Sequence, residues 1–138
     1  MSDLGTLGGT TSTARSVNNL GDIVGYSTGT TFVGNHAFLY TDGQMFDLTT
    51  GAQDAGLIQT GPINASTVGF TSLDYAYGIS DTGYIVGTGT YYAGNWVGSQ
   101  KAFLLKVDLA PAAVPEPATS AMLAGAVALL IGVRRRKR

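Results

Sequence analysis

The feature that most constrains the fold is a pair of similar segments 62 residues apart. Residues 14–25 read ARSVNNLGDIVG, and residues 76–87 read AYGISDTGYIVG. Further along, residues 36–40 (HAFLY) align with residues 101–105 (KAFLL) at an offset of 65. Because the same motifs recur in the same order at nearly constant spacing, the chain contains an internal repeat. A unit of this kind buries one face of its sheet only by stacking on a neighbour.

Each copy has the pattern of strand, glycine turn, strand, loop and strand. Val17 and Ile79 alternate with polar neighbours, and Gly21 and Gly83 supply the turns into the return strands. In the first copy, the dipeptide at 42–43, Asp-Gly, predicts a hairpin into a fourth strand over residues 44–48. The abundance of Gly, Thr, Ser and Tyr also favours strands and tight turns over helices.

The segment between the copies, residues 49–72, is rich in small and polar residues and is predicted to be a loop. Short strands are expected within it at 57–58 and 68–70. The copies then cover about residues 3–48 and 73–109. Residues 1–109 are therefore predicted to form an all-β module of antiparallel strand repeats. Its strand order is that of propeller blades, with too few blades to close a ring alone.

These segments resemble the HAF repeat of exported bacterial proteins. The resemblance rests on the triplet His36-Ala37-Phe38, the DLGTLGG run at residues 3–9, the Asn-x-x-Gly turn and the Ile-Val-Gly strand. In the second copy Lys101 replaces the histidine, and DLGTLGG does not follow. In that family DLGTLGG closes one repeat and opens the next, which implies earlier repeats. The sequence also opens without a signal peptide, so an N-terminally truncated product is expected.

The end of the chain combines three features within 25 residues. Pro115 and Pro117 flank Glu116, lack backbone N–H groups and predict an exposed, extended link that a processing enzyme can grip. Sixteen uncharged residues follow, 118–133, and as a helix they reach about 24 Å, slightly short of a hydrocarbon core. A marginal transmembrane α-helix is predicted there. A basic tail on the cytoplasmic side completes the pattern: Arg134, Arg135, Arg136, Lys137 and Arg138.

These residues resemble the PEP-CTERM sorting signal of Gram-negative bacteria, with Val114, Pro115, Glu116 and Pro117 as the sorting motif and 110–117 as a linker. The resemblance implies processing by an exosortase, a transient anchor in the inner membrane, and export to the cell surface or extracellular matrix. Exopolysaccharide of a biofilm matrix is then an expected partner. A plain tail anchor is the alternative, but it must carry five positive charges across the membrane.

The charge distribution excludes one class of partner. Five of the eight basic residues lie in the tail, so residues 1–117 hold three basic and nine acidic residues, a net charge of −6. This acidic body lacks the basic patch that a phosphate backbone requires, which argues against nucleic-acid binding. The chain has no cysteine, which excludes disulfides, thiolate metal sites and a cysteine nucleophile.

Asp81 is the main candidate for catalysis, because Asp81-Thr82-Gly83 is the triplet of aspartic proteases. The repeat alignment places Asn19-Leu20-Gly21 at the equivalent positions, which indicates an ordinary turn. His36 is the only histidine and is interpreted as a strand residue with a partly buried or hydrogen-bonded ring. The eight aspartates lack a calcium-loop spacing. No catalytic residue, metal site or cofactor is predicted.

Tyr91, Tyr92 and Trp96 form the longest aromatic cluster. They could stack on sugar rings, or they could pack as cross-strand aromatics. Together these observations predict a non-enzymatic exported protein of the cell surface or extracellular matrix. The alternative of another class is a secreted hydrolase fragment of the aspartic-protease type that uses Asp81.

Overall fold

The computed structural model describes residues 1–109 as two antiparallel sheets and one short helix. The first sheet is a four-stranded meander of β1 Gly8–Val17, β2 Ile23–Gly29, β3 Asn35–Thr41 and β4 Gln44–Asp47. Helix α1, Leu48–Asp54, follows it. The second sheet is a three-stranded meander of β5 Val68–Ile79, β6 Tyr84–Ala93 and β7 Gly98–Lys106. The prediction of antiparallel β-structure is confirmed, whereas the predicted linker and transmembrane helix lie outside the described residues.

The two glycine turns have the same geometry. Gly21 and Gly83 have φ angles of +86° and +89°, a region that favours glycine. The backbone N–H of Asn18 donates to the carbonyl of Asp22 at 3.0 Å, and the equivalent bond 62 residues later measures 2.9 Å. The turns inferred from the repeat are therefore confirmed in both copies.

The first strand of each copy also bulges at the same repeat position. The register of β1 against β2 shifts between Ala14 and Ser16, and that of β5 against β6 shifts between Ala76 and Gly78. A bulge bends its strand and increases the local twist. The two copies therefore share their curvature as well as their turns.

A close backbone approach requires glycine beside each bulge. A Cβ atom added at Gly25 would lie 1.9 Å from the carbonyl oxygen of Thr13, and one added at Gly87 would lie 1.9 Å from that of Tyr75. Both pairs are 62 residues apart. The Ile-Val-Gly motif of the sequence is thus explained by a backbone contact that leaves no room for a side chain.

The core lies between the two sheets, where β5 packs against β1, β2 and β3. Because β2 and β3 pair in register, Val24, Ala37 and Leu39 share the face that β5 covers. The buried cluster contains Val24, Ala37, Leu39, Leu48, Ala52, Ala55, Leu73, Ala76, Ile85, Phe103, Leu105 and Val107. One copy therefore supplies the cover for the other, as expected for stacked repeats.

The structure corrects the prediction for the intervening segment. Residues 49–72 contain most of α1 and the start of β5, so the predicted strand at 68–70 is the beginning of a longer one. The predicted strand at 57–58 is wrong, because these residues form no strand. Helix α1 was missed because Asp47 was assigned only to a strand end; its Oδ1 accepts hydrogen bonds from the N–H groups of Thr49 and Thr50, at 2.8 and 3.3 Å.

Candidate functional site

A polar cleft of about 260 Å³ opens where the start of β3 meets β5 and the second sheet. Side chains that donate or accept hydrogen bonds dominate its walls: Asn35, His36, Asp74, Tyr75, Thr90 and Gln100. The first two belong to the first copy and the rest to the second. The cleft is therefore a product of the stacking of the two copies.

Asp74 is the acidic centre of the cleft. It lies at a second bulge of β5, between Leu73 and Tyr75, and is 9% exposed. Its carboxylate accepts hydrogen bonds from Ser72 Oγ at 2.5 Å, Thr90 Oγ1 at 2.7 Å and Gln100 Nε2 at 2.8 Å. An ionised carboxylate has about four acceptor positions, so these three donors satisfy most of them. Asp74 is thereby fixed in place on the second sheet.

His36 forms the opposite wall, and its ring is held from two sides. Nδ1 lies 2.8 Å from Oδ2 of Asp47, the residue that caps α1. The ring of Phe32 stacks on the imidazole, with centroids 3.5 Å apart and planes 4° apart. The interpretation of His36 as a strand residue with a partly buried or hydrogen-bonded ring is confirmed.

Tyr75 joins the two walls. Its hydroxyl accepts a hydrogen bond from Asn35 Nδ2 at 3.2 Å, and its ring meets the edge of Tyr26 at a centroid distance of 4.8 Å. Tyr26 and Asn35 belong to the first sheet. The cleft therefore presents hydroxyl, amide, imidazole and carboxylate groups on a fixed frame, a set suited to hydrogen bonding with a polar ligand.

Asp81 lies away from this cleft, in the β5–β6 turn, where the repeat alignment predicted a turn residue. Its Oδ1 and Oδ2 accept hydrogen bonds from the backbone N–H and from Nδ2 of Asn19, both at 2.8 Å. The side-chain bond from Asn19, with the backbone bond beside it, lowers the pKa of the exposed Asp81 carboxyl. Asn19 and Asp81 lie at equivalent repeat positions, so these two hydrogen bonds join the turns of the two copies.

A second contact joins equivalent positions. The guanidinium of Arg15, the bulged residue of β1, lies 5.4 Å from the ring centroid of Tyr77, the bulged residue of β5. This is within the range of a cation–π interaction. One pair therefore joins β1 to β5, and the other joins the turns that follow these two strands.

The aromatic cluster is not brought together on one face. Tyr91 and Tyr92 are consecutive in β6, so their side chains point to opposite faces of the sheet. Tyr91 packs edge-on against Phe70, with centroids 5.2 Å apart. Trp96 lies in the β6–β7 turn with φ at +63° and is 63% exposed. Glycan stacking by these residues stays a prediction, with Trp96 as the exposed member.

Sequence reasoning missed Asp74, Gln100 and Asn35, because they come from three strands and form no local motif. A carboxylate within the largely uncharged strand at Asp74 was the one available signal. The sorting motif, residues 114–117, and the basic tail, residues 134–138, lie outside the described part of the chain. In residues 1–109, no helix is long and apolar enough to cross a membrane. No group of three metal-ligating side chains occurs in that range either.

Comparison with curated proteins gives no match, and comparison with solved structures gives none. A family match covers the end of the chain, starting one residue before the predicted Val-Pro-Glu-Pro element. It includes the uncharged run and all but the last residue of the basic tail. Residues 113–137 match the PEP-CTERM protein-sorting motif, so the chain carries the C-terminal sorting signal of an exported protein.

Proposed function

We propose that this chain is a non-enzymatic structural or adhesive protein of the cell surface or extracellular matrix. An exosortase releases it from a transient membrane anchor by cutting near residues 114–117. The observation that carries the proposal is the sorting motif at residues 113–137, which implies an exosortase as the processing partner. The uncharged run 118–133 then serves as the temporary span, and the basic tail keeps the end of the chain in the cytoplasm.

The charge of the mature chain supports release into the extracellular phase. Cleavage near 114–117 removes the five basic residues of the tail and leaves a body with three basic residues against eight or nine acidic ones. A strong net negative charge keeps a protein soluble and repels anionic membrane surfaces. The charge therefore favours diffusion away from the membrane after the cut.

The state of the two candidate catalytic residues supports a non-enzymatic role. Both carboxylate oxygens of Asp81 are bound to Asn19, and its pKa is lowered, whereas a protease aspartate pair must share a proton. His36 is bound to Asp47, which also caps a helix. Each side chain thus has a structural partner.

The architecture supports an extracellular repeat protein of the HAF type. Two antiparallel meanders pack with β5 of one over a face of the other, as neighbouring propeller blades do. The glycine turns, the bulges and the glycines at 25 and 87 repeat at the same offset. A propeller-blade arrangement of HAF repeats accounts for these features together.

We place contact with exopolysaccharide at the polar cleft. Its volume of about 260 Å³ is just below the range of about 300–1,000 Å³ typical of sites for drug-sized ligands, which suits one sugar ring. Asn35, His36 and Gln100 offer donors and acceptors to sugar hydroxyls. The exposed ring of Trp96 is a second, separate candidate contact.

Processing is tested by expressing the chain with an N-terminal export signal, in cells with and without a PEP-CTERM exosortase, and measuring its intact mass. We expect loss of the C-terminal segment only when the exosortase is present. Replacing Pro115, Glu116 and Pro117 by alanine should abolish the cut, whereas Pro111→Ala, outside the matched residues, should leave it unchanged. A tail retained in both strains would refute the sorting proposal.

Glycan contact is tested by calorimetric titration with exopolysaccharide extracted from the bacterium that makes the protein. Gln100→Ala removes a hydrogen-bonding amide from one wall of the cleft, and Asn35→Ala removes one from the opposite wall. We expect both to weaken binding by about tenfold, the cost of one lost hydrogen bond to a buried partner. Trp96→Ala is the matched comparison. A loss confined to Trp96→Ala would move the contact to the β6–β7 turn, and equal affinity of all variants would refute both sites.

A further inference from the structure

Equivalent faces of the two sheets differ in exposure to solvent: the face is buried in the first sheet and exposed in the second. Val24 and Leu39 pair across β2 and β3 in the first sheet, and both are 0% exposed. Their equivalents in the second sheet, Val86 and Leu104, pair across β6 and β7 and are 47% and 66% exposed. An exposed apolar face at an otherwise buried repeat position indicates a surface with a missing neighbour.

The molecule itself shows what covers this face. In the first sheet the cover is β5, whose Leu73 and Ala76 are 2% and 0% exposed, together with α1, which packs on β3 and β5 in the same core. The strand equivalent to β5 is β1, where Ala14 corresponds to Ala76 and is exposed. Val17 in the same strand is 62% exposed. The second half of the contact is therefore also present and unused, at the opposite end of the module.

The packing between the copies is directional. Strand β5 packs on β1, β2 and β3, but within residues 1–109 strand β1 has no comparable packing against β6 or β7. A two-fold arrangement would bury both strands alike. The contact is therefore heterologous, with the front of one copy against the back of the next, and such contacts can be continued by further copies.

We infer that the exposed face of Val86, Ala102 and Leu104 binds β1 of a second copy of this chain. The partner subunit's Ala14 and Val17 then take the places that Ala76 and Ile79 hold in the internal contact. Because the interface joins one end of the module to the other, repeated association gives a closed ring or an extended array. This assembly goes beyond the proposed function and does not depend on it.

The polar contacts along β1 and β5 are already formed within the chain. Inside the chain, Arg15 of the first copy lies over Tyr77 of the second, and Asn19 donates to Asp81. Between chains, Tyr77 and Asp81 come next to the partner subunit's Arg15 and the partner subunit's Asn19 while they keep these contacts within their own chain. The apolar face therefore supplies the interface, and residues 81 and 19 of neighbouring chains lie beside each other.

Sedimentation velocity of the full chain in detergent micelles, over a wide range of protein concentration, tests the inference. We expect reversible association that Leu104→Glu weakens by at least about tenfold, because it buries a charge in the interface. The matched control is Val97→Glu, since Val97 is 65% exposed but lies outside the strands of the sheet. A chain that stays monomeric, or a Leu104→Glu chain that associates like the original, overturns the inference.

Cysteine cross-linking fixes the geometry, since the chain has no cysteine of its own. A mixture of Asn19→Cys chains and Asp81→Cys chains should form a disulfide-linked heterodimer under mild oxidation. The double variant within one chain should form an internal disulfide and serves as the positive control. A mixture of Asn19→Cys and Val97→Cys chains measures random collision. Heterodimer yields that do not exceed this background contradict the head-to-tail contact.

Discussion

The first sheet and the second sheet have the same turns, bulges and close glycine contacts, yet they differ in what covers them. Val24 and Leu39 are fully buried in the core that β5 and α1 complete, whereas Val86 and Leu104 at the same positions are exposed. The difference does not come from these side chains themselves, because valine and leucine occur at both pairs of positions. It shows that burial in this module depends on which neighbour a copy has, as in other stacked repeats.

The largest expected difference between the two sheets is in the free energy of unfolding when the equivalent leucine is truncated in each. Leu39→Ala should lower the free energy of unfolding by about 2–5 kcal/mol, because it leaves a cavity in the core. Leu104→Ala should change it by less than about 0.5 kcal/mol at low protein concentration, because the side chain is exposed. Urea unfolding measures both. Equal losses would mean that the two faces are covered alike.

The next test concerns what the sheets share. Gly25→Ala and Gly87→Ala each place a methyl group against a backbone carbonyl that cannot move aside, so each should cost about 3 kcal/mol. Gly78→Ala is the control, because its nearest neighbour, 3.2 Å away, is the end of the exposed Val86 side chain. The midpoint temperature of thermal unfolding, measured for the three variants, tests this prediction. If only one of the two close-contact glycines is sensitive, the copies are not equivalent.

Much of the fold followed from short-range patterns. The dipeptide Asp42-Gly43 predicted a hairpin, and both residues have positive φ angles, +52° and +75°. Gly21 and Gly83 predicted the other turns. Helix α1 was missed because its residues Thr49, Thr50 and Gly51 are poor helix formers. Its stability comes from the Asp47 cap and from Leu48 and Ala52 packing in the core, and that packing is not visible in the sequence.

The candidate cleft could not be predicted for a different physical reason. Its groups lie on β3, β5, β6 and β7 and meet only where the two copies pack together. The repeat alignment did place Asn19 and Asp81 at equivalent positions. It gave no reason for them to touch, because equivalent positions in a repeat can lie far apart. The contact depends on the distance between stacked copies, which single-copy patterns do not specify.

A further feature of the first sheet is Asp47, at the end of β4, which caps α1 and binds His36. Asp47→Ala should lower the free energy of unfolding by about 1–2 kcal/mol through loss of the helix cap. Asp54→Ala, at the other end of the same helix, removes an exposed acid and should have almost no effect. Chemical unfolding of both variants checks this. Equal effects would show that the cap does not stabilise the helix.

The smallest expected effect is on the hydrogen bonds between Asn19 and Asp81, which join the two turns. Hydrogen bonds from Asn19, the side-chain bond first, lower the pKa of Asp81 in the folded protein. A lowered folded-state pKa contributes stability above the unfolded pKa, and this contribution is lost as the pH falls below about 4. Asn19→Ala should raise the pKa towards its ordinary value, as followed by NMR of the carboxyl carbon. An unchanged pKa would mean that the side chain of Asn19 does not bind Asp81 in solution.

The central claim is that Val24 and Leu39 are buried in the first sheet, whereas Val86 and Leu104 at the equivalent positions of the second are exposed. Thiol labelling tests it most directly, because the chain has no cysteine and Leu39→Cys and Leu104→Cys each supply a single thiol. At low protein concentration the thiol at 104 should react at the rate of an exposed thiol. The thiol at 39 should react at least about a thousandfold more slowly, only when the module opens. Similar rates at the two positions would contradict the account.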